Sequence, residues 1–154
     1  MNTPPFDAIV EEHGPVVYRV LARMLERHDA QDCWQETFLA ALRAYPELPP
    51  GSNVRGWLVT IAHHKAIDHV RARQRRPQTV PPAVDPPAAP RAEPDDELWA
   101  SVAALPEKQR LAVTYRFVAD LPYRAIGELL GNSEAAARQN VREALRTLRQ
   151  EIHR

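Results

Sequence analysis

Between Gly56 and Arg76 the chain reads GWLVTIAHHKAIDHVRARQRR, and three residue types in it could do chemistry. His63, His64 and His69 could bind a metal, Arg71, Arg73, Arg75 and Arg76 could hold phosphates, and Trp57 could stack on an unpaired base. Spacing separates these options. Two ligands on one helix need a relation such as i, i+4, whereas His64 and His69 are five apart, about 140° around a helix, and His63 and His69 are six apart. The rings point in different directions, so the stretch is read as metal-free. The sequence has no glycine-rich phosphate loop, no cysteine cluster and no motif for a Ser, His and Asp constellation. The expectation is a protein that is not an enzyme and needs no cofactor.

Drawn on a helix at about 100° per residue, the stretch divides into two faces. Leu58, Ala62, Ala66 and Val70, flanked by Val59 and Ile61, make an apolar band. Thr60, His64, Asp68, Arg71 and Arg75 fall on the opposite side, and Asp68 is spaced to pair with Arg71. Beyond Val70 the apolar pattern stops and a cationic end begins.

Other elements must position that helix. Phe6 to about Glu26 carries Ile9, Val10, Val16, Val17, Val20, Leu21, Met24 and Leu25 at helical spacing, with a break or bend expected near Gly14-Pro15. A second helix is expected from near Asp29, turning Cys33, Phe38, Leu39 and Leu42 inward and Asp32, Gln35, Glu36 and Arg43 outward. Pro77 to Pro94 holds seven prolines without helical periodicity, and reads as an extended linker. After it, a helix opened by Pro106, a break at Asp120-Leu121-Pro122, a short helix Tyr123 to Leu130, a turn at Gly131-Asn132 and a long helix capped by Ser133 follow helix-turn-helix arithmetic. On the last helix Ala137, Val141, Ala144, Leu145, Leu148 and Ile152 form a core stripe. Arg138, Arg142, Arg146 and Arg149 form a second stripe roughly 100° away, suited to a phosphate backbone.

Composition agrees with an all-α protein. Only five glycines stand against 15 prolines in 154 residues, which leaves little material for hairpins. Two small helical domains, 1–76 and 96–154, joined by a Pro-rich acidic linker, 77–95, are expected. The single cysteine, Cys33, cannot form an internal disulfide. Without a secretion-type N-terminus or an apolar run long enough to span a bilayer, the expected setting is cytoplasmic, with no membrane insertion. The zero formal charge conceals a segregation. Residues 1–54 hold four cations against eight anions, 55–76 six against one, 77–105 one against five, and 106–154 nine against six. The two basic blocks suit nucleic acid and the acidic ones a different partner.

Three segments in order resemble the extracytoplasmic-function (ECF) group of bacterial RNA polymerase sigma factors. DAQDCWQETFLAAL is similar to the family's D-A-E-D-hydrophobic-hydrophobic-Q-E-T-F segment. RGWLVTIAHHKAIDHVRARQRR is similar to its R-G-W-L-hydrophobic-x-I-A-R-N-x-x-I-D-x-hydrophobic-R pattern. LPEKQRLAV followed by LPYRAIGELLGNSEAAARQNVREALRTLR is similar to its promoter-binding helix-turn-helix.

The resemblance implies partners for each block. Asp32, Gln35, Glu36, Phe38, Leu39 and Arg43 would dock on the clamp helices of the largest catalytic subunit of core RNA polymerase. Arg55, Trp57, Thr60, His63, His64, Lys65, Arg71, Arg73, Arg75 and Arg76 would recognise and melt the minus-ten element of promoter DNA. Tyr123, Arg124, Ser133, Glu134, Arg138, Gln139, Arg142 and Arg146 would read the minus-thirty-five element, beside the flap of the other large subunit. An anti-sigma protein is a further candidate partner. Two departures bear on specificity. His63 and His64 stand where the family commonly has Arg and Asn, and Ala136-Ala137 and Gln139-Asn140 replace its usual Thr-Val and Ser-Arg-like pairs. Two other readings stay open at this point, a stand-alone helix-turn-helix regulator and a degenerate sigma-like polymerase-binding protein.

Overall fold

The structure, a computed structural model, describes residues 3–75 and 96–152; Arg76 and the expected linker at 77–95 lie outside the described residues. The described residues form seven α-helices and one short 3-10 turn, with no strand among them. In chain order they are α1 (Phe6–Met24), α2 (Arg27–Ala44), the turn Tyr45–Glu47, α3 (Val54–Arg75), α4 (Asp96–Ala103), α5 (Glu107–Phe117), α6 (Tyr123–Leu130) and α7 (Glu134–Ile152).

α1 is continuous through Pro15, so of the break or bend expected there no break forms. A proline inside a helix forfeits one backbone bond and costs about 3 kcal/mol. Here Val16, Val17, Val20 and Leu21 are buried on the turns that follow, and their burial offsets that loss. Gly14 lets the indole of Trp34 lie against the helix, where its Nε1 donates to the Gly14 carbonyl at 2.9 Å. A Cβ on Gly14 would stand 3.2 Å from that ring.

α2 begins at Arg27, and Cys33 and Phe38 face inward as their spacing demands. Leu39 and Leu42 do not, being 55 % and 50 % exposed. They share an arc of about 120° with Asp32, Gln35, Glu36 and Arg43, a side of α2 that α3 reaches at the His69–Glu36 contact and that stays open at both leucines. The α1–α3 core joins Ile9, Val17 and Leu21 to Ala30, Cys33, Phe38, Leu58, Ala62 and Ala66. Truncating a side chain such as Leu58 there costs about 2–5 kcal/mol. Asn53 starts α3 by accepting the Gly56 N–H on its Oδ1 at 3.1 Å.

The second half shows why α6 and α7 are short-linked. Gly131 ends α6 at φ 70°, in the left-handed region, and Ser133 Oγ accepts the Ala136 N–H at 3.0 Å to open α7. A Cβ on Gly127 would stand 2.8 Å from the Ser133 carbonyl oxygen, so close packing of α6 on α7 needs glycine there. The bend before α6 holds Asp120 at φ 54°. α4, absent from the sequence-based expectation as an element, packs with Val102, Leu105 and Trp99 on Val113, Ala144 and Leu148. Ile152, assigned to the core stripe, is 65 % exposed because α7 outruns the helices that could cover it.

The two halves are not separate bodies in space. Val16 and Val20 of α1 and Val59 of α3 enter one buried cluster with Leu111, Tyr115, Leu121, Ile126, Ala137 and Val141 of the second half. The sequence treats Val59 as the edge of the first-domain band; its partner is the other domain.

Candidate nucleic-acid interface

α3 presents its outer row unevenly. His64, Asp68, Arg71 and Arg75 are exposed, as their spacing predicts. Asp68 and Arg71 form no ion pair, correcting the expected i, i+3 link. Instead Asp68, Arg71 and His64 border a cleft of about 440 Å³ shared with Glu107 and Lys108 of α5. The Thr60 hydroxyl donates to the Gly56 carbonyl at 2.7 Å and is tied to its own helix. Lys65 and Arg55 are half-buried, and Arg55 Nη1 lies 4.0 Å from Asp120 Oδ2 in the second half.

Three further residues assigned to this face have structural partners. Trp57 is half-buried and packs with the first-domain core, its ring 6.4 Å from that of Tyr45. Arg73 donates to Asp29 at 2.7 Å and approaches Glu26 at 3.3 Å, so its charge is shared with the start of α2. His63 is buried in the seam between the halves, its Nδ1 2.5 Å from the Tyr115 hydroxyl. Burial, aided by neighbouring His64, lowers its pKa below the ordinary histidine value, against a smaller opposing pull from Glu107. Burial likewise raises the pKa of the Tyr115 phenol.

α7 offers a cleaner array. Arg138, Arg142, Arg146 and Arg149 are all exposed, and so are Arg124, Ser133, Glu134 and Gln139. Glu134 orients Arg138 at 3.3 Å, and the half-buried Tyr123 ring lies under the guanidinium groups of Arg116 and Arg138, at 4.4 and 5.1 Å. Gln139 donates to Glu143 at 3.0 Å.

The third surface lies on α2. Gln35, Glu36, Leu39 and Arg43 are exposed and Asp32 half-exposed, while Phe38 is buried beneath them, 4.6 Å from Trp34 between ring centres. Phe38 supports this face from below. Leu42, placed inward by its spacing, joins the exposed face; the signal that would have found it is the arc it shares with Glu36 and Leu39. Beside Gln35 opens an apolar groove of about 590 Å³ lined by Val10, Pro15, Tyr18 and Trp34.

One group of metal-type donors comes together that the spacing of the histidines did not foretell. Cys33, Glu36 and His69 hold donor atoms within 4.8 Å of one another. Burial, with the carboxylates of Glu36, Asp29 and Asp32, pushes the Cys33 thiol up to about 12, so it keeps its proton at neutral pH. A metal would have to displace that proton. The contact present is His69 Nε2 to Glu36 Oε2 at 3.1 Å, which joins α3 to α2.

Comparison with known proteins places these surfaces in a family. Sigma-70 region 2 matches residues 9–76, spanning α1 to α3, and Sigma-70, region 4 matches residues 95–148, spanning α4 to most of α7. The RNA polymerase sigma factor CarQ of Myxococcus xanthus is 32 % identical over 94 % of this chain and 87 % of its own length. The chain belongs to the ECF group of the sigma-70 family. The ECF RNA polymerase sigma factor SigE of Mycolicibacterium smegmatis is 31 % identical over 95 % of this chain, which spans 61 % of SigE's length. Among solved structures, the sigma factor RpoE of Bartonella quintana, crystallised with the anti-sigma factor NepR, shares the fold with a TM-score of 0.78 at 20 % identity, over 96 % of each chain. As an ECF sigma-70 member the chain is all-α, with α1–α3 as its region 2 and α4–α7 as its region 4. No helix among the described residues is long and apolar enough to cross a membrane.

Proposed function

We propose that this chain is a sigma factor that binds core RNA polymerase and directs promoter-specific initiation in the cytoplasm, with all chemistry supplied by the polymerase. The observation that carries the reading is the presence, in one chain and in order, of a region 2 with an exposed mixed face on α2 and a region 4 with an exposed arginine row on α7.

Each surface takes a role its chemistry suits. The face of Asp32, Gln35, Glu36, Leu39 and Arg43 docks on the polymerase clamp helices, with Leu39 and Leu42 supplying apolar contact and Glu36 charge complementarity. α7 enters the major groove of the minus-thirty-five element with Ser133, Glu134 and Gln139 near its N-terminal end, while Arg138, Arg142 and Arg146 follow the phosphates. Region 4 meets the polymerase flap on a side away from that groove. On α3, His64, Arg71 and Arg75 meet the opened minus-ten strand, and Arg55, Lys65 and Arg73 add positive charge. Trp57 acts chiefly as a packing anchor. An anti-sigma protein is a fitting regulator, the partner class seen with RpoE.

Transcription reconstituted with purified core polymerase, on the promoter upstream of the chain's own gene and several candidate promoters, tests this reading. A specific start dependent on the chain is expected. Initiation no different from core alone on every template would overturn it, and whole-promoter binding equally tight with and without polymerase would turn the reading to a stand-alone regulator.

A further inference from the structure

Tyr115 ranks among the largest fully buried side chains, and its hydroxyl meets only first-domain atoms among the described residues. His63 Nδ1 lies at 2.5 Å and the Met24 sulfur at 3.5 Å. A buried phenol must find a partner, and one hydroxyl proton serves one strong acceptor. The His63 Nδ1 is that acceptor in the neutral tautomer that carries its hydrogen on Nε2, the assignment the latch uses. On one side the bond is flanked by apolar burial, Val20 and Val59 being fully buried against the second domain and Val16 nearly so, while on the other His63 lines the cleft of about 440 Å³. Its margins hold Arg55 near Asp120 and the Arg23 guanidinium 3.9 Å over the Trp99 ring.

We propose that His63 and Tyr115 form a latch that closes region 4 back on the α1–α3 face of region 2, and that the closed chain competes with the opened chain that engages polymerase and promoter. The competing half of the proposal rests on the sigma-factor reading; the latch itself does not. α3 lies at the centre of the conflict. Its His64, Asp68 and Arg71 border the cleft that α5 closes with Glu107 and Lys108, so the row assigned to minus-ten DNA is partly walled while the latch holds. Because both domains belong to one chain, closure is intramolecular and needs no tight interface to persist.

The latch is sensitive to protons. The titratable and charged groups around His63 are His64, Asp68 and Arg71 on its own helix and Tyr115, Glu107 and Lys108 on α5; α6 brings only apolar Leu129 and Leu130 to this cleft, and α1 sets the Met24 sulfur beside the Tyr115 phenol. Burial first and His64 second disfavour its charged form, and Glu107 only partly offsets them. A histidine whose pKa is lowered on closing favours the closed state fully above its open value near 6.5, and loses that advantage as pH falls below it. Acidification therefore opens the chain.

X-ray scattering of the full chain measures the latch without polymerase. Wild type is expected to be compact at pH 8, with a radius of gyration of about 15 Å, and to expand at pH 5.5. Tyr115→Phe keeps the ring but strands the His63 nitrogen, and should shift the balance toward open on the order of tenfold at pH 8. His63→Gln keeps an acceptor that does not titrate, and should stay compact at both pH values. Circular dichroism confirms that each variant keeps its helices. A wild-type radius that does not change between the two pH values, or a His63→Gln chain that expands as wild type does, overturns the latch. Core polymerase binding then tests the competition: Tyr115→Phe should bind several-fold more tightly at pH 8, and unchanged binding overturns that part. If neither wild type nor variant binds core, the sigma-factor reading fails while the scattering result on the latch stands.

Discussion

Two arginine-bearing rows, on α3 and on α7, look alike in sequence and differ in the folded chain. On α7 Arg138, Arg142, Arg146 and Arg149 all stand exposed on one side of the final helix. On α3 the corresponding row is partly committed: Arg73 is drawn to Asp29 and Glu26, Thr60 to its own backbone, Arg55 toward Asp120, and the adjoining His63 is buried under Tyr115. Charge and spacing say which face of a helix is polar. What covers that face depends on the fold of a distant segment. The row on α7 is exposed throughout in the folded chain, whereas the row on α3 is the one that the proposed opening of the latch would free.

The largest effect on the difference between the two halves is expected at Gly127. Gly127→Val would drive side-chain atoms into the Ser133 backbone, costing upward of about 2 kcal/mol. Duplex binding should be lost and the region 4 melting transition lowered, while a fragment-independent readout, polymerase binding by the full chain through α2, should persist in weaker form. Glu36→Lys is next in size. It reverses a charge on the face proposed to dock on the clamp helices, and core affinity measured by fluorescence titration should fall about tenfold, with duplex binding by the second half unchanged. Arg142→Ala sharpens the α7 side. Affinity for minus-thirty-five duplex should fall uniformly across sequences, and the slope of log affinity against log salt should become shallower by about 1. His64→Asn is the smallest and most local change. Stability should stay within about 0.5 kcal/mol, while base preference at the minus-ten element shifts in a selection from randomised promoters.

Much of this was legible in the sequence where local chemistry decides. Tyr123–Leu130 was bounded correctly because Pro122, Gly131 and Ser133 act within a few residues of themselves. The buried series Leu58, Ala62, Ala66 followed from helical period alone, but Val70, on the same band, is 37 % exposed. Where a neighbour decides, spacing misled. Pro15 did not break α1 because the valines after it are anchored from two domains, and Leu39 and Leu42 turned outward because no helix packs on that side of α2. α4 was passed over because it is short and follows the proline-rich stretch directly. His63, placed with the DNA-facing residues on the strength of the family pattern, lies in the seam; its partner Tyr115 is 52 residues away, beyond any periodicity argument.

The central claim is that the α7 row holds duplex DNA unaided, while the α3 row melts the minus-ten element only once polymerase has separated it from region 4. Permanganate reactivity of minus-ten thymines, on a promoter this chain activates, measures that difference directly. Reactive thymines are expected with chain and core polymerase together, and none with either alone even at concentrations where the chain occupies the minus-thirty-five duplex. Reactive thymines with the chain alone, or unreactive thymines with both present, would contradict it.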